Sequence, residues 1–156
     1  GHLVLTSLHA NDSVSAVLRL RDLGVAPYLI ASSVAGIVSQ RMVRLVCSGC
    51  RQVSPRPPAG QEAYTSQMDE PVESFIYGSG CNLCAQTGYR GRIGVFEVLT
   101  MSDALRRLVL ADAPRSQLWE QALKEGMTPL RRDATLKVKQ GVTTPYEVAR
   151  VLFSLD

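Results

Sequence analysis

The sequence predicts a mainly α-helical chain in three parts: an α/β segment over residues 1–46, a tetracysteine metal-binding subdomain over 47–91, and a C-terminal strand with a helical bundle over 92–156. Three observations carry this reading. A short apolar run, Leu3–Leu8, precedes apolar residues at helical spacing; four cysteines fall into two identical C-x-x-C pairs; and after Ser102 threonine and proline starts alternate with glycine stops. With 46% hydrophobic and 20% charged residues in 156, the composition suits one ordinary domain or two small ones, and excludes a disordered chain or a coiled coil.

Taken in order, Leu3–Leu8 reads as a short buried strand, since an apolar run of that length is too short to specify a helix. The turn His9-Ala-Asn-Asp-Ser13 follows, in which Asn11, Asp12 or Ser13 caps a helix with Val14, Val17 and Leu18 on one face and Gly24 at its end. Pro27 suits the first turn of a longer second helix, whose apolar face holds Ile30, Val34, Ile37, Val38 and Leu45, with Arg41 and Arg44 projecting near its end.

Between Cys47 and Tyr89 the prolines Pro55, Pro57 and Pro58 and the glycines Gly78, Gly80 and Gly88 disfavour regular helix. Short strands are expected at Phe75–Tyr77 and Arg92–Leu99, the second with the β-branched and aromatic content that strands favour. Beyond Ser102 the pattern gives short helices. Pro114 starts one carrying Leu118, Trp119, Ala122 and Leu123; Thr128-Pro129 opens another that Gly141 closes; and Thr144-Pro-Tyr-Glu147 has the form of a capping box, with Glu147 reaching back.

The strongest chemical signal is the pair of turns Cys47-Ser-Gly-Cys50 and Cys81-Asn-Leu-Cys84. Two residues between cysteines let one turn present two thiolates to a single ion, and two such turns complete a tetrahedral shell around Zn²⁺. Four protein ligands leave no open position, so the metal would be structural and would fold a segment with little core of its own. Paired disulfides, a redox-active C-x-x-C and an iron–sulfur cluster draw on the same residues, and zinc leads among them.

His2 and His9 flank the first strand. Their odd offset puts them on opposite faces of an uninterrupted strand, so they converge only if the strand ends before His9. Alone, such a pair reads more readily as a terminal remnant and a turn residue than as a site.

The formal charge is +3, and 14 of the 17 basic residues are arginine. No acid occurs between Asp22 and Glu62, which leaves Arg41, Arg44, Arg51 and Arg56 as a weak basic patch, either a solvated face or a contact for an acidic neighbour. Together with the paired cysteines this patch supports one reading from another class, a zinc-ribbon nucleic-acid-binding module. Few aromatic residues are present to stack bases, and four acids lie in Glu62–Glu73, so no nucleic-acid partner is expected. The most apolar stretch, Val25–Val38, is shorter than the ~20 residues a bilayer span needs, and no export signal is visible. The sequence opens on Gly1, not methionine, so its length bounds only this piece.

Gly1-His-Leu-Val-Leu-Thr-Ser-Leu-His-Ala-Asn-Asp12 closely resembles the histidine box of the secretion ATPases of the GspE/PilB group, which power type II secretion and type IV pilus assembly. The resemblance continues in order through Arg19-Leu-Arg-Asp-Leu-Gly24, Ala31-Ser-Ser33, Gln40-Arg-Met-Val-Arg44, the cysteine pairs, Gly88-Tyr-Arg-Gly-Arg92 and Lys137-Val-Lys-Gln-Gly-Val-Thr-Thr144. It implies the end of a RecA-like P-loop NTPase core, then the zinc-bearing subdomain, then a helical tail. It implies His9 as a contact for the terminal phosphate of the nucleotide and His2 as its support, and neutral imidazole suits this as a donor to a phosphoryl oxygen. By the same resemblance the whole protein would be a cytoplasmic homohexamer, peripheral to the bacterial inner membrane. There it would drive a membrane platform protein with ATP and Mg²⁺, in type II secretion or, alternatively, in type IV pilus extension. No G-x-x-x-x-G-K-[ST] motif occurs in these 156 residues, so the chain alone is expected to be inactive.

Overall fold

The computed structural model describes residues 2–56 and 74–152. Among them are six helices and two two-stranded sheets, a mixed α/β chain. In chain order the elements are α1 (Ser13–Asp22), α2 (Pro27–Ser33), β1 (Gly36–Val46), β2 (Arg51–Ser54), β3 (Phe75–Gly78), β4 (Tyr89–Thr100), α3 (Asp103–Leu110), α4 (Arg115–Lys124), α5 (Leu130–Lys139) and α6 (Pro145–Leu152). β1 pairs with β4 and β2 with β3. The chain divides into two compact units, residues 1–39 with 97–129 and residues 40–96 with 130–156.

The first unit is built on α1. Asp12 caps it, its carboxylate accepting from the Ser15 amide at 2.7 Å, and the helix gives way to Gly24 at φ +83°. Val14 and Val17 turn inward against Ile30 of α2, Leu99 of β4, Leu105 and Val109 of α3, and Leu118 and Ala122 of α4. The Ser13 amide donates to the buried Glu97 carboxylate at 2.7 Å, so an acid on a strand satisfies an amide at the helix start.

Two sequence expectations fail in this unit. Leu3–Leu8 forms no strand among the described residues, and Leu3, Val4 and Leu5 are 83%, 77% and 89% exposed. A strand is held by a ladder partner, and both sheets of the described residues are two-stranded without this stretch. The long second helix also fails: α2 stops at Ser33, and the residues read as its second half form β1. Ile37, Ser39, Arg41 and Val43 turn inward while Val38, Gln40 and Met42 are exposed, a period of two rather than 3.6. With Ser39 and Arg41 among the inward residues, apolar spacing does not reveal this alternation, and pairing with β4 sets it. At Gly36 an added Cβ would stand 2.9 Å from the Leu99 carbonyl oxygen, so the strand starts where only glycine permits that approach.

In the second unit β2 and β3 pair antiparallel, with Arg51 opposite Gly78 and Ser54 opposite Phe75. The expected strands at Phe75–Tyr77 and Arg92–Leu99 are present with wider bounds. β2 was not expected, because its lone apolar residue, Val53, is 68% exposed and the strand exists by pairing alone. Val43, Val95, Leu130, Ala134, Val138 and Val148 form the core. Pro57, Pro58 and the acids from Glu62 to Glu73 lie outside the described residues.

Thr144 caps α6 as expected, accepting from the Glu147 amide at 3.2 Å. Glu147 does not reach back. Its fully buried carboxylate accepts from the Arg44 amide at 3.0 Å, from Arg44 Nε and Nη2 at 2.9 and 2.6 Å, and from Arg150 Nε and Nη2 at 2.9 and 2.8 Å. Burial favours the protonated acid, but the guanidiniums of Arg150 and Arg44 outweigh it and hold the Glu147 pKa down at about 2. Arg44, expected on a basic patch, is thereby committed to an internal ion pair, and it also lies 4.2 Å over the Tyr89 ring. A buried carboxylate is tolerated where ion pairs and hydrogen bonds surround it in this way.

Candidate metal centre

β1 runs directly into the first cysteine turn. Cys47 follows Val46, the Cys50 amide donates to the Cys47 carbonyl at 3.4 Å, and β2 begins at Arg51. The second turn follows β3. Asn82–Cys84 make one 3-10 turn, and the chain leaves it through Ala85 and Gln86 at φ 48° and 63°, left-handed conformations that bring the Gln86 amide to the Cys81 carbonyl at 2.9 Å. The turns are locked together by backbone. The Cys47 amide donates to the Gly88 carbonyl at 2.9 Å, and the Ser79 amide to the Cys50 carbonyl at 3.1 Å.

Gly78 and Gly88 make this approach possible. A Cβ on Gly78 would stand 2.1 Å from the Gly88 oxygen, and one on Gly88 would stand 2.4 Å from the Gly78 oxygen. Sequence reading took both glycines as helix-breaking punctuation. Their role as a contact pair needed the register of β3 against the second cysteine turn, which spacing does not supply.

The four Sγ atoms all lie within 4.8 Å of one another. Cys47 to Cys81 is 3.9 Å, and Cys50 to Cys84 and Cys81 to Cys84 are both 3.8 Å. A tetrahedron with zinc–sulfur bonds of about 2.3 Å has edges of about 3.8 Å, so these separations fit one shared ion. They are far beyond the roughly 2.0 Å of a disulfide, and all four thiols are free. Cys47 and Cys84 are buried and the other two half-buried. The amides of Cys81 and Gly88 each donate to Cys84 Sγ at 3.3 Å, the second-layer bonding that orients and stabilises a thiolate.

The same bonds order the protons of the thiols. Burial opposes the Cys84 thiolate, but the donors from Cys81 and Gly88 overcome it and bring its pKa down to about 6. Burial and the neighbouring thiols push Cys50 up to about 12, against one favourable amide from Gly80. The shell draws all four ligands from protein and leaves no position for substrate, so a metal held here supports the fold rather than reacting.

Neither histidine joins this cluster among the described residues. His2 and His9 both lie on the exposed stretch that precedes α1. What the structure does build next to His9 is the anchor at which that stretch ends. Asp12 accepts from Ser15 N and Oγ and from Arg115 Nη2, the latter two at 2.8 Å. Burial raises the pKa of Asp12, and its hydrogen bonds from Ser15 and Arg115 more than reverse that, leaving it below the usual carboxylate value. A cap among Asn11, Asp12 and Ser13 was legible in the sequence, and the structure selects Asp12; Arg115, 103 residues away, was not legible.

Two cysteine turns that gather four sulfurs within reach of one ion define a chain with a candidate tetracysteine metal site among its described residues. Residues 1–150 match the family described as type II/IV secretion system protein, and the chain belongs to that family. It is 41% identical over 97% of its length to the type IV pilus assembly ATPase TfpB of Acinetobacter baylyi, covering 26% of that protein. It is 40% identical over 97% of its length to type II secretion system ATPase E of Vibrio cholerae, covering 30%, and 38% identical over 95% to the type IV pilus assembly ATPase PilB of Thermus thermophilus, covering 17%. The chain thus spans less than a third of each of these relatives. No helix among the described residues is long and apolar enough to cross a membrane.

Proposed function

We propose that this chain is the C-terminal part of a hexameric ATPase that powers type II protein secretion through pseudopilus assembly. The observation that carries the reading is the in-order match of nearly the whole chain to relatives named as secretion and pilus ATPases. Pilus extension by the same machinery is the second reading, because relatives of both kinds match at nearly equal identity. Residues 1–46 close a RecA-like core, 47–91 carry a structural Zn²⁺ on Cys47, Cys50, Cys81 and Cys84, and 92–156 form the tail. ATP and Mg²⁺ are held chiefly by residues outside this chain, which has no loop of the kind that cradles phosphates. His9 donates to the terminal phosphate and His2 supports it. The assembly works in the cytoplasm, docked on an inner-membrane platform protein, and binds no nucleic acid.

Loss of the gene should abolish either exoprotein secretion or surface pili, and restoration of the full-length protein should recover the lost one. A mutant that retains both would overturn the reading. The 156-residue chain alone should release no phosphate from ATP, and it should show no salt-dependent binding to random duplex DNA. Affinity that falls steeply from low to physiological salt would instead point to a nucleic-acid module.

A further inference from the structure

We propose that Arg115 is a positioning residue for His9, tying the histidine segment to the helical tail through Asp12. The inference rests on the reading of His9 as a phosphate contact. Arg115 is the first residue of α4, a helix with no acid in its first turn. A cation there opposes the positive end of the helix dipole, and within its own helix only the Trp119 ring, one turn on, offers it a favourable contact. Its guanidinium lies 4.9 Å over the Trp119 ring and donates to Asp12 Oδ2 at 2.8 Å. Asp12 in turn spends Oδ1 on the Ser15 amide at 2.7 Å, which starts α1. Ser13 is held from another side, its amide on Glu97 Oε1 at 2.7 Å and its Oγ on the Glu97 carbonyl at 3.3 Å.

The point where the histidine segment leaves α1 is therefore fixed by groups from β4 and α4. Three Cα–Cα steps separate His9 from Asp12, a reach of at most about 11 Å, so a tilt at Asp12 is passed on to the imidazole. Removing Arg115 leaves the α1 cap intact, because the Ser15 amide keeps its acceptor. The pair is partly exposed, with side chains 49% and 17% accessible, and such pairs contribute little to stability. Arg115 is thus expected to matter more to geometry than to folding.

The test uses the full-length ATPase that contains this segment and measures kcat, KM for ATP and melting temperature. Arg115→Met should lower kcat about tenfold with KM held within about twofold and melting unchanged, as misplacement of a phosphate contact does. Arg115→Lys, which keeps one donor, should restore at least half of the loss, and Asp12→Asn, which keeps an acceptor for the Ser15 amide, should resemble Arg115→Met. In a His9→Ala background Arg115→Met should add nothing. Wild-type kcat in Arg115→Met, or losses that multiply in the double variant, would overturn the inference. If His9→Ala alone leaves kcat unchanged, it is the phosphate-contact reading that has failed, and the two failures are told apart by that single variant.

Discussion

The histidine segment and the two cysteine turns both run through irregular backbone, and they differ in what closes them. The segment is apolar, with Leu3, Val4, Leu5 and Leu8 within six residues, yet these side chains stand exposed because no described strand covers them. The cysteine turns have almost nothing apolar to bury. Leu83, between the second pair, is 63% exposed. They close nonetheless, because four sulfurs and a set of backbone bonds converge within one loop pair. Apolar content gives burial only where a complementary surface exists, whereas ligand spacing carries its closure with it.

The largest effect should come from removing the zinc proposed for the four cysteines. Chelation, or Cys47→Ser together with Cys84→Ser, should take zinc from about one per chain to none and open the cysteine turns to proteolysis within residues 47–56 and 75–89. Elemental analysis and limited digestion read both. A chain that holds no zinc and resists digestion equally well with and without chelator would erase the contrast between the two regions.

A finer contrast lies between two glycines at similar φ. Gly88 (φ +75°) has the Gly78 oxygen 2.4 Å from where its Cβ would stand, while Gly24 (φ +83°) has nothing within 4 Å. Gly88→Ala should destabilise by about 3 kcal/mol, combining backbone strain with a clash against backbone that cannot turn aside. Gly24→Ala should cost only about 1 kcal/mol from strain alone. Equal costs by urea denaturation would mean that the Gly78–Gly88 approach does not constrain the cysteine unit.

The unit that carries the cysteines is also closed by charge at Glu147. Glu147→Gln should cost on the order of 3 kcal/mol near neutral pH, because it leaves Arg44 and Arg150 facing a neutral group. The folded pKa, about 2, lies below the ordinary 4.5, so this contribution is fully present above pH 4.5 and is lost as pH falls toward 2. Stability of the parent should therefore converge on that of the variant across that interval, and parallel curves from pH 6 to 2 would remove the assigned role.

What the sequence made legible follows from the same distinction. The cysteine cluster, an α1 cap among Asn11, Asp12 and Ser13, the glycine that ends α1 and the start of α6 at Thr144 are local patterns, and each lies where the sequence pattern put it, with Asp12 the residue that caps. β1 reads as helix in the sequence because Ile37 and Val38 continue the helical spacing of Ile30 and Val34, while its inward positions include the polar Ser39 and Arg41, which hide the alternation that pairing with β4 imposes. β2 was missed because its side chains carry no strand pattern at all. Glu147 with Arg44 and Asp12 with Arg115 join residues 103 positions apart, a separation at which single-sequence periodicity is silent.

The smallest predicted effect bears on the exposed segment. Leu5 is 89% exposed, so Leu5→Ser in this chain should shift the urea-derived stability by less than about 0.5 kcal/mol. Leu118, buried in the core of the first unit, should cost about 3 kcal/mol on change to alanine under the same conditions. The pair of values measures directly whether apolar character or apolar contact stabilises a given stretch. A cost above about 2 kcal/mol at Leu5 would put Leu3–Leu8 back in a buried strand and would return the histidine segment to the side of the regions that close themselves.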